Sequence, residues 1–261
     1  MQKQKKYLFG SSLESIVYPI LLLLVMWIVI WSEHLFSTFD FYRFGVEPRK
    51  ISGLVGIIFM PLIHSDSDFS HIINNSGPTF ILLCALIYFY HEIALKVFIW
   101  SWLLTGVFVW LLGKNGFHIG MSGVIYALAS FLFTSGVLRK YLPLQAISMM
   151  VVFLYGSMVW GILPMEEKIS WEGHLSGMVI GIFLAISFKK EGPIRPKYQY
   201  EIEKEMGIEP PDYEALLNEK LAQLKAQEEE ERKQLEHRIV YHYHYVPKEA
   251  INSKPEDGSV Q

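Results

Sequence analysis

The sequence predicts an all-α membrane protein, a bundle of six transmembrane helices followed by a charged cytoplasmic C-terminal tail. Three observations carry this prediction. The 261 residues are 51% hydrophobic, 15% aromatic and only 19% charged, more apolar than a water-soluble domain of this length. The charges are segregated: residues 189–261 hold 12 of the 23 Lys+Arg and 16 of the 26 Asp+Glu, leaving 11 basic and 10 acidic residues before them. Six apolar runs lie at about 15–35, 69–90, 95–112, 121–138, 144–163 and 172–188, each close to the roughly 17–25 residues that a bilayer-crossing helix needs. The chain thus divides into a short cytoplasmic N-terminus (1–14), a membrane domain (15–188) and a tail (189–261).

The first run follows Lys3, Lys5 and Lys6, as a signal peptide would. Its apolar stretch is too long, and Trp31-Ser32-Glu33-His34 stands where small residues would mark cleavage, so it reads as a retained span. Between runs 1 and 2 the stretch at about 36–68 is too long for a structureless loop. It carries Phe36, Phe39, Phe41, Tyr42 and Phe44, residue types that favour the membrane–water boundary, and short interfacial helices are expected there.

Orientation follows from basic residues in the short loops. An inside N-terminus puts Lys3, Lys5, Lys6, Lys96, Arg139, Lys140, Lys189 and Lys190 in the cytoplasm and Arg43, Arg49, Lys50, Lys114 and Lys168 outside. Both termini are then cytoplasmic, and runs 2, 4 and 6 all begin on the extracytoplasmic side. The net charge of −3 argues against a nucleic-acid partner. Cys84 is the single cysteine, which excludes an intrachain disulfide framework.

Polar side chains inside spans are costly and ask for a reason. Run 2 opens with His71-Ile72-Ile73-Asn74-Asn75, run 4 with Gly120-Met121-Ser122-Gly123 and then Tyr126, and run 6 with Glu172-Gly173-His174. Singly, each is most simply a helix cap or a packing contact. The topology, derived without them, sets all three at one depth on one side of the membrane. Serine hydrolysis needs a nucleophile, a base within hydrogen-bond reach and donors for an oxyanion. Ser122 and His174 supply the first two. His71 and Asn75, four apart on one helical face, and the Ser122 N–H at a helix start supply donors. Tyr126, four residues after Ser122, lies beside it. Gly173, Gly177 and Gly181 on run 6 match Gly123, Ala127, Ser130 and Thr134 on run 4, small-residue stripes that permit close helix approach. Glu172, two residues before His174, points away on a helix, so a dyad is expected rather than a triad. Val124 in place of a final glycine separates the Ser122 motif from the soluble hydrolase elbow.

These residues resemble the rhomboid family of intramembrane serine proteases over roughly residues 15–188. The marks are Gly-x-Ser-Gly at 120–123, His-x-x-x-Asn at 71–75 and the Gly-His of run 6 with its glycine series. The resemblance implies a nucleophilic Ser122, a general base His174, oxyanion assistance from His71 and Asn75, and Tyr126 bracing His174. It also implies single-span membrane proteins as substrates, and no metal or cofactor. Two departures stand out: His64 lies seven residues before His71 where the family often has five, and Pro48-Arg49 replaces a Trp-Arg pair. Inactive relatives usually lack the serine or the histidine, and this chain keeps both. The competing class is a non-catalytic membrane chaperone or adaptor of the same fold.

The tail is cytoplasmic in this reading, with Pro193, Pro196, Pro210 and Pro211 marking a linker. A helix is expected at about 212–238. Leu217, Leu221, Leu224 and Leu235 fall at partial heptad spacing that Glu228 to Glu231 interrupt, a weak basis for self-association. The alternating Tyr241-His242-Tyr243-His244-Tyr245 has metal-binding residue types, but reads by default as a short strand-like or irregular piece.

Overall fold

A computed structural model of the chain describes residues 10–36, 39–65, 69–165, 170–208, 212–236 and 244–245. The described residues are helical apart from loops and one isolated β-bridge. Among the described residues, five helical segments are long and apolar enough to cross a membrane: α1 (Ser12–Leu35), α3 (Ser70–Phe89), α4 (Ala94–Leu112), α5 (Ser122–Arg139), and α6 (Leu142–Tyr155) with its 3₁₀ continuation Gly156–Ile162. The sixth expected run forms α7 (Trp171–Ser187), an apolar helix of 17 residues. A helix of this length rises about 25 Å at 1.5 Å per residue, just short of a full hydrocarbon core.

Helix α5 is the central element. Most of its side chains are buried, including Val124, Ala127, Leu128, Phe131 and Leu132, and it packs against α3, α4, α6 and α7. Its closest neighbour is α7, and glycine is the reason. A Cβ on Gly177 would overlap the Gly123 carbonyl, and one on Gly181 would overlap the Ala127 carbonyl and the Ser130 hydroxyl. Apolar burial gives helices in lipid little reason to associate, so such close backbone approach supplies the attraction instead. Gly136 does the same between α5 and α6, where it faces the Leu144 carbonyl and the Ser148 hydroxyl.

The outer helices are held by fewer contacts. Helix α1 packs on α3, with Trp27 Nε1 donating to Ser76 Oγ at 3.2 Å. At the end of the bundle away from Ser122, the half-buried Arg139 collects three carbonyls, those of Phe188, Glu191 and Pro193, at 2.6–2.8 Å. This guanidinium caps α7 and ties the chain beyond it to α5. The first compact unit runs on to Pro196.

The stretch between α1 and α3 is indeed a series of short helices: 3₁₀ turns at Phe41–Phe44, Ile51–Val55 and Met60–Leu62, with α2 (Gly56–Phe59) among them. It docks on α4 and on the loop that follows it. Val46 and His118 exchange backbone hydrogen bonds at 2.8 and 2.9 Å. Arg49, at φ +60°, donates to the Gly113 carbonyl and Asn115 Oδ1, both at 2.8 Å. The arginine of the altered Pro48-Arg49 pair thus clamps the loop leading to Ser122.

The second unit, Lys197–Gln261, contains α8 (Gln199–Glu205) and α9 (Tyr213–Glu236). Asp212 Oδ1 accepts the Glu214 and Ala215 N–H groups at 3.1 and 3.0 Å, an N-cap. Leu217, Leu221, Leu224 and Leu235 are all exposed. Of the Tyr/His run at 241–245, residues 241–243 lie outside the described residues.

Candidate active site

The loop before α5 delivers Ser122. Gly120 takes φ +103°, a backbone region open to glycine at little cost. Its N–H donates to the Met60 carbonyl at 2.8 Å. The next N–H, of Met121, donates to Nε2 of the fully buried His64 at 3.4 Å. Burial, with the neighbouring His71 adding to it, pushes the His64 imidazole down to about 4, so it is neutral and available as an acceptor. Ser122 is then the first residue of α5, where a backbone N–H has no intrahelical acceptor.

Helix α7 delivers His174. Ser170 precedes the helix and accepts the Gly173 N–H on its hydroxyl at 3.3 Å. His118 fixes that serine, with Nδ1 2.7 Å from Ser170 Oγ. One turn into α7, His174 Nε2 lies 3.0 Å from Ser122 Oγ. Its other nitrogen, Nδ1, is 2.9 Å from the Gly161 carbonyl. A carbonyl only accepts, so Nδ1 carries the proton and Nε2 presents its lone pair to Ser122. Tyr126 stacks on the imidazole with centroids 4.2 Å apart and planes 10° from parallel. The phenol donates to the Met158 carbonyl at 2.6 Å.

Helix α3 brings the other polar cluster to the same place. A Cβ on Gly120 would lie 2.7 Å from His71 Nε2 and 3.7 Å from Asn75 Nδ2. Both side chains therefore converge on the loop two residues before Ser122. Asn75 is buried, and its Nδ2 has no acceptor among the described residues. The buried Glu172 faces Lys114, 3.4 Å from its Nζ. Among the described residues no cluster of His, Cys, Asp and Glu suits a metal ion.

The structure thus gathers Ser122, His174, Tyr126, His71, Asn75 and Gly120 at one end of the bundle, with Gly123, Gly173, Gly177 and Gly181 forming the seam beneath. Sequence reasoning missed the carbonyls of Met158 and Gly161 because a backbone acceptor leaves no residue-type signal. It also missed the pairing of His118 with Ser170, which lie 52 residues apart in the chain.

A helical membrane protein with a Ser–His pair in the first turns of two glycine-packed helices is the class that fold and site define. Comparison with known proteins places it further: residues 52–191 match the rhomboid domain family, and the chain belongs to the rhomboid family. It is 35% identical over 155 residues to uncharacterized proteins of Mycobacterium bovis and Mycobacterium tuberculosis, covering 54% of this chain and 62% of theirs. An uncharacterized protein of Mycobacterium leprae is 32% identical over 156 residues, covering 54% of this chain and 59% of its own. The chain therefore spans about three fifths of the length of these relatives.

Proposed function

We propose that the chain is an intramembrane serine endopeptidase that cleaves single-span membrane proteins with a Ser122–His174 dyad. The observation that carries this reading is the 3.0 Å approach of His174 Nε2 to Ser122 Oγ, with the tautomer set so that Nε2 is the base. Ser122 attacks the scissile carbonyl as His174 takes its proton. Negative charge on the carbonyl oxygen is met by the Ser122 N–H, Asn75 Nδ2 and the His71 side chain. The imidazolium then protonates the leaving amine, and a water activated by the same His174 hydrolyses the acyl-enzyme.

Six spans, cytoplasmic termini and a site opening to the extracytoplasmic side are part of the same reading, supported by the basic loops and by the position of Ser122 and His174 in the first turns of their helices. The chaperone or adaptor alternative has no use for a Ser–His hydrogen bond with a fixed tautomer. Cleavage of a reconstituted single-span substrate tests the proposal. Ser122→Ala and His174→Ala should each abolish cleavage in protein that still folds, and full activity in either variant would refute the dyad.

A further inference from the structure

The acid of a serine-protease triad holds its histidine in one tautomer and one orientation. Among the described residues no carboxylate does so, yet the tautomer is set. The acceptor is the Gly161 carbonyl in the 3₁₀ segment after α6. Building on the dyad proposed above, we infer that Gly161 is a positioning residue for His174, and that residues 158–161, which carry the two carbonyls at the site, are a third arm of the catalytic unit.

Three features of the chain make this carbonyl suitable. A 3₁₀ helix has three residues per turn, so Met158 and Gly161 fall on one face, and both carbonyls serve the site: Met158 holds Tyr126 and Gly161 holds His174. A 3₁₀ carbonyl normally accepts from the residue three positions on. For Gly161 that residue is Pro164, which has no N–H, and the next N–H, of Met165, is taken by the Leu163 carbonyl at 2.8 Å. The Gly161 oxygen is thereby left to the imidazole. Finally, position 161 must lack a side chain. A Cβ there would overlap the Tyr126 hydroxyl and come within 3.2 Å of His174 Nδ1.

A carbonyl orients the ring as a carboxylate would but brings no full negative charge to stabilise imidazolium. The stacked Tyr126 face supplies part of that role, since an aromatic face attracts a cation. The arrangement makes the dyad depend on where the 3₁₀ segment sits, so anything that displaces the segment frees the His174 tautomer.

The test combines turnover with ¹⁵N NMR of histidine-labelled full-length protein, the His174 signals being assigned by difference against His174→Gln. In the wild type, His174 should show protonated Nδ1 and unprotonated Nε2 at neutral pH, a result that needs no variant to fold. Protonated Nε2, or a rapidly exchanging mixture, overturns the inference. Gly161→Ala should lower turnover at least about 100-fold, shift the kcat–pH profile and lose the fixed tautomer. Adding Tyr126→Phe, which removes the hydroxyl that the new Cβ meets, should restore part of the loss. Gly156→Ala is the control in the same segment; its Cβ meets only Val152 Cγ1, at 4.0 Å, and it should behave as wild type. Equal losses in Gly156→Ala and Gly161→Ala also overturn the inference. A wild-type protein with the fixed tautomer but no peptidase activity would instead sink the dyad proposal and leave the positioning role standing.

Discussion

Around Ser122, each polar side chain has a position that a packing role alone does not require. Asn75 Nδ2 is buried with no acceptor among the described residues, a cost of roughly 1–3 kcal/mol for an unsatisfied group. An oxyanion formed beside Gly120 would satisfy it. Loss of one such donor typically lowers turnover by about 10²–10³, so Asn75→Ala and His71→Ala should each do so in a purified cleavage assay, with Ser122 still in place. Unchanged turnover in both would return these residues to packing. Ser122, His174, His71 and Asn75 were legible in the sequence because polar side chains are conspicuous in apolar spans. The carbonyls of Met158 and Gly161 were not, because every residue has one, and only the path of the chain decides which are spare. His64 was visible only as an altered spacing. Its burial against the Met121 N–H depends on the conformation of the loop before α3.

At the level of elements, the seam between α5 and α7 decides whether the two halves of the dyad meet. The small-residue stripes were readable as a period of four, and they do interlock, Gly177 on Gly123 and Gly181 on Ala127. A valine at 177 has no room, since even a Cβ overlaps the Gly123 carbonyl. Gly177→Val should therefore abolish activity and lower thermal stability in detergent by several degrees. Overpacking of this kind typically costs about 1–3 kcal/mol. Wild-type stability and turnover in that variant would contradict the close approach described for these helices. Less legible were the ends of elements. Residues 144–163 read as one continuous apolar run, but the helix tightens to 3₁₀ at Gly156, a change that hydropathy does not register and that aims two carbonyls at the site. Run 6 proved to be a 17-residue helix, and the chain after it stays with the membrane unit because Arg139 binds three of its carbonyls.

For the whole molecule, the family match and the proposed site lie within residues 52–191, and the second unit begins at Lys197. Composition divides an apolar stretch from a charged one, and the leucines of the second unit are all exposed. None of the proposed site residues lies in the tail. Removing residues 197–261 should leave cleavage of a model substrate in detergent within about twofold of wild type. A large loss in a folded truncated protein, restored by an unrelated dimerising helix, would show that the tail acts by self-association. The central claim is that Ser122 is a nucleophile activated by His174, and the most direct measurement is cleavage of one single-span substrate by purified, reconstituted wild type, Ser122→Ala and His174→Ala side by side. The account predicts a discrete product from the wild type and none from either variant, with all three proteins equally folded. The same product from Ser122→Ala would contradict it.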